Sequence, residues 1–381
     1  MKYLTFFSTE EERALCLGTS PAGVTKSRYM AQLLRETGHP VEIVSPAWSK
    51  CGRWQRWKAF DLSLDNGITV HQLATFGTPL RWLTPLQWVH SLLQLFFYLL
   101  FHTRAGEPVL VYHSYYLSLP VLLARRIRKF KLLLEVEEIY QDIVPLPRLL
   151  QRWEEEIIQT ADGYVFSTAA IGERIHRDGI PFLVVNGSYH CEELSRPSSP
   201  SDGKIHCLYS GTFDASKAGA YLAVDAAAFL SDRYCIHISG FGTEEETRAL
   251  LREIQRIQAK TSCEIIYEGF LDDSAYRQLL GKCQIGLNTQ TPDQRFSNTC
   301  FPSKILVYMS HGLQVVSAAN TAITASDVGA RLTYYNAQTP EAVAQAIQRV
   351  NPRQGAENAR FVQQLHAQAR ARLQTMLEAL F

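Results

Sequence analysis

The chain has 381 residues, more than a single hydrophobic core usually supports, so its length predicts two domains of similar size. Hydrophobic residues make up 46% and charged residues 20%, which is typical of a folded globular protein. The 38 Lys and Arg residues are balanced by 37 Asp and Glu residues, so the net charge gives no support to nucleic-acid binding.

In the first half of the chain, short apolar runs alternate with amphipathic helical patterns. This alternation predicts an α/β fold, with parallel sheets covered by helices on both faces. The predicted strands are 3–7, 41–44, 68–73, 109–112, 132–136, 164–166 and 183–185. The predicted helices are 24–35, 86–102, 117–128, 149–160 and 169–177. The longest apolar stretch, 86–101, is shorter than the roughly 20 residues that a membrane-spanning helix needs.

The second half repeats this pattern after a Ser/Pro-rich segment, 191–203, which we interpret as an interdomain linker. Its predicted strands are 205–209, 235–238, 264–267, 285–287 and 314–316. Thr243 and Glu246 form a capping-box pattern, and Thr339 precedes a proline at a helix start. These signals predict an N-terminal domain over 1–190 and a C-terminal domain over 204–355. A final helix over 356–381 is long enough to return to the first domain.

The eight cysteines are scattered, with no CxxC pair and no histidine at zinc-ligand spacing. We therefore expect free thiols in a reducing cytoplasm, and no metal ligands. The apolar run at 3–7 is followed by acidic residues and is too short for a signal peptide.

Glycines follow several of the second-half strands. Gly211 and Thr212 open a turn that contains Lys217, and such a turn before a helix can bind an anion through its backbone N–H groups. Gly240 and Gly242 follow the next strand, although a dinucleotide-binding GxGxxG fingerprint is absent. Gly269 and Phe270 follow a third strand, where backbone groups could meet a nucleobase. In each case the alternative is an ordinary tight turn between a strand and a helix.

The segment around Lys304 is the most informative. Pro302 fits the first position of a helix, and Gly312 fits a left-handed C-terminal position. Ser303 and Lys304 then fall in the first helical turn, where a lysine opposes the helix dipole unless an anion binds beside it. This placement indicates a phosphate contact.

Three features of the first half suggest a site. A small-residue loop that includes Gly23, Thr25 and Lys26 could lie beside a bound ligand. His113 ends a predicted strand, where α/β proteins place ligand contacts, although a lone histidine is more often structural. Acidic residues end the next strand, where carboxylates can act as bases or orient hydroxyls; they are Glu135, Glu137 and Glu138. The alternative is a solvated loop, or carboxylates paired with Arg125, Arg126 or Arg128.

Aromatic residues crowd the region from Trp82 to Phe101, and the densest basic run covers 125–131. Together they suggest an anionic membrane surface as a partner, with the protein peripheral at the inner face of the membrane. A buried helix with a solvated basic end is the alternative.

In order along the chain, these segments resemble the GT-B glycosyltransferases, specifically the retaining family-4 group. The matching segments cover nearly the whole chain, and the Phe-Pro-Ser-Lys helix at 301–304 is the most specific of them. The others are the loop at 18–26, Gly38-His39-Pro40-Val41, Val185-Asn186-Gly187, Tyr209-Ser210-Gly211-Thr212 with Lys217, Ser239-Gly240-Phe241-Gly242 and Glu268-Gly269-Phe270. The segment 137–140 (Glu-Glu-Ile-Tyr) resembles a branch that acts in bacterial surface-polysaccharide biosynthesis.

The resemblance implies two Rossmann-like, doubly wound domains that face a cleft. It implies a metal-independent transferase without a cofactor that takes a nucleotide-diphosphate sugar, with UDP as the default, and a saccharide or lipid-linked acceptor. Gly211 and Lys217 match the diphosphate-binding turn, and Phe270 matches the backbone position that meets the base. Lys304 lies in the segment that approaches the donor phosphates and sugar. Glu137 falls near a family position, often His, beside the reacting sugar.

Three positions depart from the family pattern. Family members commonly carry two glutamates eight residues apart around the Lys304 helix, where this chain has Thr299 and Val307. An arginine that often precedes the phosphate lysine is replaced by Thr212. A divergent branch with its own donor contacts would explain these changes. The alternatives are a non-catalytic GT-B scaffold in polysaccharide assembly and a nucleotide-sugar epimerase on the same fold.

Overall fold

The structure is a computed structural model, and it describes residues 1–9, 19–47, 49, 51–64, 67–189, 202–215, 218–291 and 299–380. The chain divides into two compact units. Unit 1 comprises Met1–Ser188 together with Ala367–Phe381, and unit 2 comprises Tyr189–His366. Most of the predicted linker, and Lys217, lie outside the described residues.

Unit 1 is built on a sheet in which eight strands of the described ranges take part, in the order β10-β9-β8-β7-β1-β2-β5-β4. The strands of this unit are β1 Lys2–Leu4, β2 Val41–Ser45, β3 Gln55–Trp57, β4 Phe60–Leu64, β5 Ile68–Gln72, β6 Thr75–Gly77, β7 Pro108–Tyr112, β8 Lys131–Val136, β9 Gly163–Phe166 and β10 Phe182–Val184. Its helices are α1 Pro21–Glu36, α2 Thr84–His102, α3 Tyr115–Arg128, α4 Tyr140–Ile143, α5 Arg148–Thr160 and α6 Ala169–Ile175. The central strands are apolar and buried because helices cover them. The strand order reverses between β1 and β7, which creates a crevice at their carboxyl ends.

Unit 2 is built on a parallel sheet whose described strands follow the order β13-β12-β11-β14-β15-β16. The strands are β11 Ile205–Thr212, β12 Tyr234–Phe241, β13 Glu264–Gly269, β14 Ile285–Asn288, β15 Gln314–Ala318 and β16 Thr333–Tyr335. The helices are α7 Gly219–Ala226, α8 Glu244–Gln258, α9 Asp273–Lys282, α10 Lys304–Ser310, α11 Thr321–Thr324, α12 Pro340–Arg349 and α13 Gly355–Leu380. The order reverses between β11 and β14, so the corresponding crevice lies at the ends of these two strands.

The predicted α/β architecture with parallel sheets in two doubly wound units is confirmed. Four short strands gave no clear sequence pattern: β3, β4, β6 and β16. Three of them have only three residues, and β4 pairs antiparallel at the edge of its sheet, so none needs a long apolar run. The capping box of Thr243 and Glu246 is present at the start of α8, as predicted.

Two predicted helix starts are wrong. Residues Gly23, Thr25 and Lys26 belong to α1 rather than to a loop, because the Ser20 side chain caps the helix by accepting from the Gly23 N–H at 3.1 Å. Pro302 lies before α10 instead of at its first position, and Ser303 is the N-cap. Lys304 still falls in the first turn.

The last helix, α13, starts in unit 2 and ends in unit 1. At its start, a Cβ on Gly355 would lie 1.7 Å from the Gly312 oxygen, so the two backbones pack directly together. Near its end, the Leu380 side chain lies 3.3 Å from the place that a Cβ on Gly163 would take, at the start of β9. Glycines thus permit both of these close contacts of α13.

Gly286 sets how closely α10 approaches β14, because a Cβ there would lie 2.2 Å from the Tyr308 ring. We expect Gly286→Ala to lower the free energy of unfolding by about 2 kcal/mol or more, measured by urea denaturation, since the ring must shift. Gly281→Ala is the matched control, because nothing lies within 4 Å of its added Cβ and alanine favours the helix. An equal loss in both variants would contradict this packing.

Candidate active site

Three strands of unit 2 carry a glycine as their last or next-to-last residue, at the same edge of the sheet. Gly211 and Gly240 are register partners on β11 and β12, and Gly269 ends β13. A Cβ on Gly240 would lie 1.7 Å from the Gly211 oxygen, so only glycine fits there. Thr212 ends β11, and its carbonyl oxygen accepts from the Tyr209 hydroxyl at 3.1 Å. This edge therefore presents backbone groups with few side chains to cover them.

Lys304 contacts this glycine edge from the start of α10. Its Nζ lies 4.4 Å from the centroid of the Tyr209 ring, in cation–π geometry. It also lies 2.9 Å from the position that a Cβ on Gly211 would take, so any side chain at 211 would displace the ammonium. The structure thus brings together Gly211 and Lys304, which the sequence placed in one phosphate site. The neighbouring Ser303 is exposed and makes no capping hydrogen bond.

Tyrosine hydroxyl groups hold the carboxyl end of β11 in place through hydrogen bonds. The Ser210 N–H donates to the Tyr308 hydroxyl at 2.9 Å, and the Ser210 hydroxyl lies 2.8 Å from that of Tyr276. Burial raises the pKa of Tyr276 to about 12, so this phenol stays neutral and able to donate. These tyrosines tie β11 to α9 and α10, and so hold Gly211 near Lys304. Sequence reasoning missed them because nothing in the spacing of these tyrosines distinguishes them from core residues.

Two aromatic side chains stand exposed where β12 and β13 end. The rings of Phe241 and Phe270 lie 6.0 Å apart, edge to face, and more than half of the Phe270 side chain is exposed. The Ser239 hydroxyl donates to the Gly269 carbonyl at 3.0 Å and joins the two strand ends. Gly242 follows, where a Cβ would lie 3.0 Å from Phe213 and from Glu246. The edge thus combines an apolar platform with the lysine.

In unit 1, the side chain of Glu135 on β8 is buried and lies against Tyr3 of β1. The Tyr3 hydroxyl donates to Glu135, and Ser27 lies within 3.4 Å of the same hydroxyl. Burial, followed by the nearby Glu137 carboxylate, raises the pKa of Glu135 to about 8. Glu135 therefore keeps its proton at neutral pH.

Lys26 links this carboxyl cluster to another strand end. Its ammonium donates to the Val185 carbonyl at 2.6 Å and lies 3.3 Å from the Glu137 carboxylate. Both side chains are largely buried, but Glu137 keeps a solvent-exposed part. The structure therefore brings together Lys26 and Glu137, two of the predicted site residues. Of the other α1 residues, Thr25 is exposed and Gly23 lies in the first turn.

His113 is enclosed rather than open to a crevice. Its Nδ1 lies 3.0 Å from the Glu138 carbonyl oxygen, and its Nε2 lies 3.4 Å from the Glu154 carboxylate. Burial lowers the pKa of His113 to about 4, so the ring is neutral and its Nδ1–H can donate to Glu138. In this position His113 holds the backbone of the acidic segment, and it acts on Glu138 through the main chain.

The helix α2 carries a row of exposed apolar side chains. They recur every three or four residues and so lie along one face. The row, which we call the α2 stripe, consists of Leu86, Val89, Leu93, Phe97 and Phe101. Two other aromatic residues of this helix contact the protein instead: Trp88 packs on Tyr116, and Tyr98 donates to Glu42. Among the described residues, no helix is both long and apolar enough to span a bilayer.

The basic run at 125–131 is partly neutralised. Arg125 pairs with Asp162 at 2.8 Å and Arg126 with Glu156 at 2.5 Å, while Arg128 donates to the Thr103 carbonyl at 2.9 Å. These arginines therefore do not pair with Glu137 or Glu138 in this arrangement.

Comparisons with known proteins agree with this architecture. Residues 23–186 match the family model of the glycosyl transferase 4-like domain. The fold is similar to that of a sucrose-phosphate synthase from Thermosynechococcus elongatus, with 14% identity and a TM-score of 0.68, covering 100% of this chain and 99% of the other. It is similar to HepE of Anabaena in complex with UDP, with 14% identity and a TM-score of 0.63, covering 100% and 99%. It also resembles the trehalose-6-phosphate protein of E. coli bound with UDP-2-fluoro glucose, with 12% identity, a TM-score of 0.65 and 99% and 98% covered. No curated protein matches the chain by sequence.

The raised pKa of Glu135 has a consequence for stability. Between pH 4.5 and about 8 the folded protein keeps this proton while the unfolded chain loses it, so stability falls as pH rises. We expect Glu135→Gln, which is neutral at every pH, to make this fall shallower by about 1 kcal/mol or more. Urea denaturation at pH 5, 6, 7 and 8 measures how the free energy of unfolding changes with pH in each protein.

The exposed Glu155→Gln, on α5, is the control for this series, and it should leave the slope of stability against pH unchanged. If the Glu135→Gln protein followed the wild-type slope, Glu135 would be ionised in the folded protein at neutral pH.

Proposed function

We propose that this chain is a glycosyltransferase with the GT-B fold; residues 23–186 match the glycosyl transferase 4-like domain. The proposed reaction transfers a sugar from a UDP-sugar to a saccharide or lipid-linked saccharide acceptor, as in polysaccharide biosynthesis. The observation that carries this proposal is the contact of Lys304 with the Gly211 turn at the glycine edge of unit 2. An anion at this edge would meet both an ammonium group and backbone N–H groups.

The donor diphosphate is assigned to this edge. Lys304 would neutralise the charge that develops on the leaving diphosphate as the glycosidic bond to the sugar breaks. This positive charge is supplied by the protein, so the proposed transfer needs no divalent metal. Gly240 supports the assignment, since it has no side chain to cover the main chain at this edge.

The nucleobase is assigned to the exposed aromatic platform. Phe241 and Phe270 offer apolar surface at the ends of adjacent strands, and a base can pack against such rings. Uridine is the preferred base because HepE was solved with UDP and the E. coli protein with UDP-2-fluoro glucose. This is a proposal by similarity, at 12–14% identity.

The reacting sugar is assigned to the acidic segment of unit 1. Glu137 pairs with Lys26 at 3.3 Å and keeps an exposed part, so its side chain can stabilise a glycosyl cation-like transition state. Glu138 follows it, with its main chain held by His113. Retention of the anomeric configuration is expected from the family resemblance and completes the proposal.

A non-catalytic scaffold remains the second candidate, and one observation favours it. Val307 lies half-buried on α10, where the family commonly has a glutamate, and its side chain cannot bond a ribose hydroxyl. Thr299 likewise replaces an acid. A scaffold would bind no nucleotide, which gives the two candidates different outcomes in a single measurement.

Calorimetric titration with UDP, GDP, CDP and ADP, with and without Mg²⁺, separates these candidates. We expect UDP to bind and its affinity to be insensitive to Mg²⁺, because Lys304 supplies the positive charge. Binding of another nucleotide would change the donor but keep the transferase. No binding of any nucleotide at millimolar concentration would favour the scaffold.

Lys304→Ala should weaken UDP binding by about tenfold or more, since a charge-assisted contact to phosphate contributes roughly 1.5–3 kcal/mol. Lys282→Ala, at the end of α9 in the same unit, is the matched control and should bind UDP like the wild type. Equal affinities in the three proteins would remove Lys304 from the donor site.

The α2 stripe supports a lipid-linked acceptor. A groove of about 370 Å³ lies beside it and is lined in part by Leu93, Phe97 and Phe101. We propose that this surface rests on an anionic bilayer at the cytoplasmic face, with the aromatic side chains at the interface. Leu123 and Ile127 of the adjacent α3 are also exposed and would extend the contact.

The double variant Phe97→Ser/Phe101→Ser should reduce the vesicle-bound fraction about tenfold or more, because each buried phenylalanine contributes roughly 1.5–3 kcal/mol. Co-sedimentation with equimolar phosphatidylcholine and phosphatidylglycerol vesicles measures it. Phe229→Ser, an exposed phenylalanine of unit 2, is the control and should bind like the wild type. Wild-type protein that stays in the supernatant would end the membrane proposal.

A further inference from the structure

Buried histidine and cysteine side chains form a separate cluster in unit 2. His206 and Cys235 are the second residues of β11 and β12 and are register partners, and His237 lies two residues beyond Cys235. Alternation along the strands puts all three side chains on one face of the sheet. Each of the three is at most 6% exposed.

The atoms of these side chains that could bind a metal ion lie close together. His206 Nδ1 lies 2.8 Å from His237 Nε2, and Cys235 Sγ lies 3.6 Å from the same nitrogen. Among the described residues, these three side chains form a group whose ligand atoms all lie within 4.8 Å of one another.

The outer nitrogen of each ring faces a carboxylate. His237 Nδ1 lies 2.7 Å from Glu268, and His206 Nε2 lies 3.2 Å from Asp202. With Nδ1–H donated to Glu268, His237 has one lone pair left, on Nε2. With Nε2–H of His206 donated to Asp202 in the same way, the lone pairs of His206 Nδ1 and His237 Nε2 face each other at 2.8 Å, and the Cys235 thiol supplies only one hydrogen beside them. The centre of the cluster therefore has more lone pairs than hydrogens to fill them.

A tetrahedral zinc ion removes this mismatch. Zn–N bonds of about 2.05 Å and Zn–S bonds of about 2.3 Å place ligand nitrogen and sulfur roughly 3.6 Å apart and two nitrogens roughly 3.3 Å apart. The observed sulfur–nitrogen distance is 3.6 Å, and the nitrogen–nitrogen distance of 2.8 Å needs about half an ångström of ring movement. The carboxylates on the outer nitrogens are the partners that zinc-binding histidines usually have.

We propose that His206 Nδ1, His237 Nε2 and the Cys235 thiolate bind one zinc ion. On binding, the thiol proton is released to solvent. His206 carries its proton on Nε2, facing Asp202, and His237 carries its proton on Nδ1, facing Glu268. The ion thereby takes the place of the thiol proton and accepts the two facing nitrogen lone pairs.

This site is distinct from the proposed donor site. His206 and Gly211 are five residues apart on one extended strand, which corresponds to about 16 Å. The zinc ion would cross-link β11 and β12 towards their amino ends, and it takes no part in sugar transfer. This proposal departs from the sequence-based expectation of no metal ligands, because the ligands come from two strands and form no CxxC or HxxxH spacing.

The test uses the full-length protein, stripped with a chelator and titrated with Zn²⁺ against a chromophoric competitor. We expect one zinc per chain in the wild type and at least about tenfold weaker binding in Cys235→Ser, since a ligand is lost. Cys263→Ser is the matched control: Cys263 is also buried, but its thiol donates to the Tyr234 carbonyl at 3.3 Å. It should bind zinc like the wild type.

Glu268→Gln gives a second reading in case Cys235→Ser fails to fold. It keeps all three ligands but loses the carboxylate on His237, so zinc affinity should fall about 10- to 100-fold. Substitution with Co²⁺ should give a thiolate-to-metal absorption band in the wild type. A wild type that takes up no zinc, or affinity unchanged in both variants, would overturn the site. Neither result bears on UDP binding, which tests the transferase proposal separately.

Discussion

In each unit the central strands run parallel, so they all end at the same edge of the sheet, and the turns into the following helices gather there. Where the strand order reverses, between β1 and β7 and between β11 and β14, adjacent helices lie on opposite faces and a crevice opens. Residues far apart in sequence, such as Lys26, Glu137 and Val185, meet at that edge for this reason. The positions of the candidate site residues depend on this constraint.

Charged groups at these edges are stabilised by specific partners. Lys26 is largely buried but lies between a carboxylate and a carbonyl oxygen, which offsets its loss of hydration. Lys304 lies over the Tyr209 ring and beside the side-chain-free Gly211. Glu135 instead keeps its proton, because burial disfavours its charged form and a second carboxylate lies nearby, and both raise its pKa. Unit 2 thus presents a cation at its sheet edge, and unit 1 presents a carboxylate–lysine pair at its own.

The sheet of unit 2 divides its polar groups between its two ends. The carboxyl ends carry glycines and the lysine, whereas the amino ends carry the histidine–cysteine cluster with its carboxylates. A zinc ion there would tie β11 to β12 at the end opposite the glycine edge. The glycine edge itself is fixed by tyrosine hydrogen bonds to Ser210. The glycines at that edge provide close approach, and these cross-links limit how far the strands can move.

The sequence determined the alternation of strands and helices, the α/β class and the residues that end the strands. These are local properties: apolar runs, the capping box of Thr243 and the glycine at 312 depend on neighbouring residues only. Two helix starts were predicted at the wrong residue, because a serine that can serve as the N-cap lies next to a proline at each of them, at Ser20 and at Ser303. Only the tertiary structure decided that His113 is enclosed, that Glu135 keeps a proton and that His206 meets His237 and Cys235. Burial and contact between strands depend on which strands are neighbours, and a single sequence does not specify that order.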